Sequence, residues 1–185
     1  MRILLLLSAL CCLLFGGVPR AAAKEIEVID VRGQIVGEFY FVDADVRIEL
    51  GDDAEDAVES GVPLQFDFDF EVRRPRRLLW DSKILTQRRT ARLERHALAN
   101  KYVVTDLVTH QRVAHGSMAE ALEALGRLSA ITLGRVEALV QEPGLRGRLR
   151  AQLDIEALPA PMRPVAYVSP AWHMKSKWYE WEISQ

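Results

Sequence analysis

The sequence predicts an α+β fold that is predominantly antiparallel β, either a β-sandwich-like domain with two short helices or a half-open barrel. Three observations carry this. Leu64, Phe66, Phe68, Phe70 and Val72 alternate with Gln65, Asp67, Asp69, Glu71 and Arg73. Leu145, Gly147, Leu149, Ala151 and Leu153 alternate with Arg146, Arg148, Arg150, Gln152 and Asp154. Successive strand side chains point to opposite faces, so each segment has one apolar and one charged side. Between them, Ser117 and Glu120 form a capping-box pattern ahead of Met118, Ala121, Leu122, Leu125 and Leu128, which recur at helical steps.

The chain opens with a leader. Met1-Arg2 is a short positive start, residues 3–15 are apolar or small, and Gly16, Gly17 and Pro19 break the run. Ala21-Ala22-Ala23 then supplies a cleavage signal before Lys24. That order predicts a signal peptide over 1–23 and one β-rich domain over 24–185. The alternative is an uncleaved anchor in the inner membrane, although a span needs about 20 apolar residues. Lipidation fits poorly, because Leu10 precedes Cys11 and Cys11 precedes Cys12. The expected location is periplasmic or otherwise exported, which argues against ATP-, NAD- and nucleic-acid-dependent chemistry.

Cleavage removes both cysteines, so the mature domain has no disulfide and no thiolate site. It also removes Arg2 and Arg20, which takes the formal charge from −2 to −4. A mildly acidic domain is not a general polyanion binder. The charge is nonetheless segregated: residues 43–71 are acidic and residues 73–95 are basic. These blocks are expected on solvent faces of strands, balancing one another. The other reading of the basic run is contact with anionic lipid head groups.

In chain order, Ile26, Val28 and Val31 start a strand, and Gly33-Gln34 reads as a turn. Residues 35–50 read as strand again, interrupted near Asp43-Ala44-Asp45. Residues 52–60 form a helix with Ala54, Ala57 and Val58 on one side, capped by Gly61 and stopped by Pro63. Strands follow at 64–73, 78–84, 89–98 and 102–108, and a turn at 109–111 leads into 112–115. After the capped helix, 131–140 is ambiguous and Pro143-Gly144 is a turn. Residues 157–164, with three prolines, are a stiff connector, and 165–169 read as an edge strand.

Catalytic motifs are missing. There is no G-x-S-x-G elbow, no H-E-x-x-H and no Walker or Rossmann glycine pattern. Of His96, His110, His115 and His173, only His110 and His115 are near one another, and a hairpin would expose both. Asp67, Asp69 and Glu71 follow a strand period and lack the spacing of a calcium loop, so a solvated face is expected. No catalytic residue, cofactor or metal ligand is assigned.

Trp172, Trp178 and Trp181, with Lys175 and Lys177, make the tail the strongest candidate for partner or membrane-surface contact, or else a cap on the core. Arg146, Arg148 and Arg150 are a second partner-binding candidate. The expected arrangement in the sheet is that they lie opposite Asp67, Asp69 and Glu71, and the rival is that they meet another acidic segment, such as Glu49, or a partner.

A set of ordered motifs runs through the mature chain. Gly61-Val62-Pro63-Leu64 leads into the aromatic strand, followed by residues 73–81 ending in Trp80-Asp81. Leu93-Glu94-Arg95-His96-Ala97-Leu98 leads to Tyr102. Leu153-Asp154, Leu158-Pro159, Pro161 and Arg163 come later, then Trp172, Ser176, Trp178 and Trp181. In order and spacing these resemble the exported proteobacterial proteins of the domain-of-unknown-function 4390 family. The resemblance brings no established activity. Members are often encoded beside a nitrogen-regulation-type membrane sensor kinase, which implies an envelope accessory role. The resemblance also leads us to expect a strand at 131–140, which reads more helically here.

Two functions are therefore expected. The first is a non-enzymatic envelope binding or accessory protein with a membrane-protein partner. The second is a periplasmic hydrolase or lyase in which Asp67, Asp69 or Asp81 works with His96. A general base must lie within about 2.6–3.2 Å of its proton, directly or through one water.

Overall fold

The computed structural model describes residues 25–75, 82–140 and 144–183. The predicted leader, Trp80 and Asp81 lie outside them. The fold is α+β and mostly antiparallel β, built from two sheets around one apolar core. The smaller sheet orders β1 (Ile26–Val36), β2 (Phe39–Ile48) and β7 (Arg127–Arg135). The larger orders β6 (Arg112–His115), β5 (Lys101–Asp106), β4 (Ser82–His96), β3 (Leu64–Arg74), β8 (Arg146–Leu153) and β9 (Tyr179–Glu182). Neither closes into a barrel. Phe66, Phe68 and Phe70 of β3 and Tyr40, Val42, Ala44 and Val46 of β2 belong to the shared core.

Helix α1 (Asp52–Glu59) buries Ala54, Ala57 and Val58, as its pattern predicts. Gly61 ends it at φ +84°, with its N–H bonded to Val58 O at 2.9 Å and Val62 N–H to Ala57 O at 2.9 Å. Helix α2 (Met118–Gly126) is capped by Ser117 Oγ, which accepts from Glu120 N at 3.2 Å. The Glu120 carboxylate reaches Gly116 N at 2.9 Å, one residue before the expected Ser117 N–H. Gly126 is a contact residue, because a Cβ there would sit 1.9 Å from Val46 O on β2.

Several expectations need correction. Gly33 is no turn: β1 runs straight through it, and the turn is Gly37-Glu38, with Gly37 at φ +61°. The glycine at 33 serves close approach, since a Cβ would lie 1.8 Å from the Tyr40 hydroxyl. Asp43 to Asp45 do not interrupt β2, and Asp43 Oδ1 instead accepts the N–H of Ala130, which lies in a bulged stretch of β7 at φ +53°. Residues 82–96 form one strand where a break was expected.

The ambiguous 131–140 segment is divided. It is strand up to Arg135, whose partner Phe39 is the first residue of β2, and then α3 (Val136–Val140). Val136 N–H still bonds to Glu38 O in the β1–β2 turn at 2.8 Å, and beyond it β2 offers no further partner. Residues 165–169 are not an edge strand. They lie mainly in α4 (Arg163–Val168), where Pro164 sits in the first turn and Ser169 N–H bonds to Val165 O at 3.0 Å. The tail adds an unforeseen strand, β9, on the edge of β8. Among the described residues no helix is long and apolar enough to cross a membrane.

Candidate functional site

The carboxylates on the charged side of the large sheet are not solvated. Asp67, Asp69 and Glu71 are each only 5% exposed. The reason is lateral, because β3 lies between two basic strands. Asp69 stands directly opposite Arg88 on β4 and Arg150 on β8. Arg88 Nε donates to Asp69 Oδ1 at 2.7 Å, and Arg150 Nη2 to Asp69 Oδ2 at 3.1 Å. Glu71 accepts from Arg148 Nη2 at 2.6 Å, Arg73 Nε at 2.9 Å and Lys83 Nζ at 2.7 Å. Asp67 accepts from Thr90 Oγ1 at 2.8 Å and lies 3.2 Å from Arg88 Nη1. The pairing of acidic and basic strands expected from the sequence therefore forms, with buried carboxylates rather than exposed ones.

Two of these carboxylates are shifted in opposite directions. Burial alone would raise Glu71, but hydrogen bonds from Lys83, Arg148 and Arg73 reverse this and take it down to about 2. Burial raises Asp67 above its usual value, and Thr90 and Arg88 offset only part of that.

All six partner-binding candidates are engaged within the molecule. Trp172 is buried in the core. Trp178 lies over two guanidinium groups, 3.9 Å from Arg148 and 4.4 Å from Arg150 to the ring centroid. Trp181 is half-buried and donates to the Tyr40 hydroxyl at 3.2 Å. Arg146 stands opposite Arg73, and the two turn apart, Arg73 to Glu71 and Arg146 to Glu180 at 3.8 Å.

The acid–base pairing of the enzyme expectation is not brought together in the described residues. Asp67 pairs with Thr90, and His96 is six residues further along β4, about 20 Å away at the strand rise. His96 instead bonds Glu94 at 3.3 Å. Asp81 lies outside the described residues. His110 sits in the β5–β6 turn at φ +61° and His115 ends β6, so they do not meet. Among the described residues no group of three or more His, Cys, Asp or Glu is placed to hold a metal ion.

Two features were missed by the sequence reading. The first is a cavity of about 310 Å³ between β4–β6 and the α2–β7 corner. Arg89 enters it from the side of β4 that also carries Ala91 and Leu93, opposite the buried Phe68. Its Nε and Nη1 have no accessible surface and no partner. His115 Nε2, also in the lining, is buried and unpartnered as well. The signal was available: Arg89 is in phase with Leu85, Ala91 and Leu93, whereas it was grouped by charge with Arg88 and Arg92. A larger cavity, about 630 Å³, lies along β2 and α2. Of the charged residues on its walls, Asp45, Arg47, Glu123 and Arg127 are in ion pairs, and Glu49 and Glu55 complete the set.

The second is the tip of the β1–β2 hairpin. Ile35, Val36 and Phe39 are 44%, 56% and 38% exposed around the Gly37-Glu38 turn. Phe39 is braced by Phe41, edge-on at 6.4 Å, and by Arg135, 5.6 Å from its centroid.

The family described as Domain of unknown function (DUF4390) matches residues 23–182. The chain belongs to the DUF4390 family. The match takes in both sheets and every described helix, so cavity, charged sheet face and hairpin tip all lie inside the DUF4390 region. No curated protein and no solved structure matches the chain.

Proposed function

We propose that this DUF4390 protein is a non-enzymatic accessory protein of the cell envelope. In this reading the leader exports it, its two sheets form a β-sandwich, and the β1–β2 hairpin tip docks on a membrane protein. The outer region of a membrane sensor kinase is the first partner to test, given the genes that accompany the family it resembles. One observation carries the proposal: three large apolar side chains, Ile35, Val36 and Phe39, are gathered in the exposed tip of one hairpin. Clustered apolar exposure on a folded domain marks contact surfaces, whereas single exposed apolar residues are ordinary. The sheet's charged groups and tryptophans are occupied by one another, which favours the tip over the tail.

The experiment is crosslinking in intact envelopes, followed by co-purification of the wild type and of an Ile35→Ser, Phe39→Ser double variant. The expected result is a crosslinked membrane sensor kinase that the variant fails to capture while keeping its thermal stability. Recovery of monomer alone, or equal capture by the variant, overturns the reading.

A further inference from the structure

We propose that the cavity under the β5–β6 hairpin binds a linear carboxylate, with the headgroup on the guanidinium of Arg89 and the apolar body lying along the sheet. This goes beyond the docking reading, which uses the β1–β2 hairpin tip and no residue of the cavity.

The argument begins with charge. Arginine stays ionised at every accessible pH, and buried donors without acceptors are costly. Arg89 Nε and Nη1 are in that position. Among the described residues no carboxylate of the cavity wall pairs with Arg89. Asp106 lines the same cavity, but its Oδ1 accepts the N–H groups of Val108 and Thr109, both at 2.8 Å, and so serves its own turn. Arg127 is paired with Glu123 at 2.6 Å. Among the described residues the Arg89 guanidinium is left without an ion-pair partner. A carboxylate matches it, whereas a phosphate dianion would be only half neutralised.

Register supplies the shape. Ala91 pairs with Asp106, Leu93 and Val113 both pair with Val104, and Tyr102 pairs with His115. Arg89 is thus at one end of the cavity's sheet wall and His115 at the other. Val104 and Val113 lie between them, facing Leu125 and Leu128 across the space. That is an elongated channel, apolar along Val104, Val113, Leu125 and Leu128, with Arg89 and Asp106 at one end. Thr109 and Gln111 in its lining are exposed, so the channel opens at the 107–111 turn, close to Arg89.

The test uses the protein produced from its full sequence, titrated with octanoate, octanol, acetate and inorganic phosphate. The readouts are calorimetry and the Arg89 Nε–H resonance. Octanoate is expected to bind and to shift that resonance. Octanol, acetate and phosphate are each expected to bind at least about tenfold more weakly. Arg89→Met should weaken octanoate at least about tenfold without lowering the melting temperature, because it removes two buried donors that have no acceptor. The proposal is overturned by an absence of octanoate binding, an unmoved Arg89 resonance, equal affinity for octanol, tighter binding of phosphate, or undiminished binding by the variant. If the variant does not fold, the wild-type resonance and ligand series still decide.

Discussion

Trp181 on the edge strand of the large sheet donates its indole N–H to the hydroxyl of Tyr40 on the central strand of the small one, at 3.2 Å. Each ring rests over a glycine. A Cβ at Gly147 would lie 2.2 Å from the Trp181 ring, and one at Gly33 would lie 1.8 Å from the Tyr40 hydroxyl. The tail is thereby tied to the opposite sheet by one hydrogen bond and two backbone gaps. Gly33→Ala and Gly147→Ala are expected to cost about 1–3 kcal/mol each in urea denaturation, because a large ring must move. Tyr40→Phe, which only leaves the indole N–H unpaired, should cost about 1 kcal/mol. Glycine variants as stable as wild type would show that the rings relocate freely.

Glu71 gives the protein an acid-labile component. Its carboxyl falls from 4.5 in the unfolded chain to about 2 in the fold. A depressed carboxylate stabilises the fold above its unfolded value and loses that contribution as pH drops toward its folded value. The shift corresponds to roughly 3 kcal/mol at neutral pH. Glu71→Gln should therefore be destabilised by about 2–4 kcal/mol at pH 7, where it also leaves Arg148, Arg73 and Lys83 unpaired. The gap between variant and wild type should narrow as pH falls from 4.5 to 2.

Asp67 has the opposite sign. Burial raises its carboxyl, so its neutral form is the one the fold prefers. Such a group is favourable below its unfolded value and unfavourable once pH rises through its folded value. Asp67→Asn keeps an oxygen for Thr90 and removes the buried charge. It should match or exceed wild-type stability at pH 7, and lose that advantage below pH 4. A large loss at pH 7 would mean that the Arg88 contact outweighs burial.

Trp178 covers the guanidinium groups that hold Asp69 and Glu71. Trp178→Ala should cost about 1–2 kcal/mol. It should also raise hydrogen exchange at β8 amides, because water gains access to the ion pairs. Unchanged exchange would show that the ring merely rests on the surface.

The alternation in β3 and β8, the capping box before α2 and the Gly61 stop of α1 were all legible in the sequence. Each is a local pattern, with side-chain period, cap and positive φ set within a few residues. Complementary charge on β3 and β8 also foretold their pairing, since wrong registers put apolar side chains on the charged face. Other features depended on partners distant in the chain. Gly33 was read as a turn because nothing nearby reveals that Tyr40 will lie across it. The same local pattern that placed Asp67, Asp69 and Glu71 on one face could not say that arginines from two neighbouring strands would seal it. Arg89 differs from Arg88 only in which side of β4 it occupies. One meets carboxylates and the other lines a cavity, and that difference arises only when α2 and β7 close over the sheet.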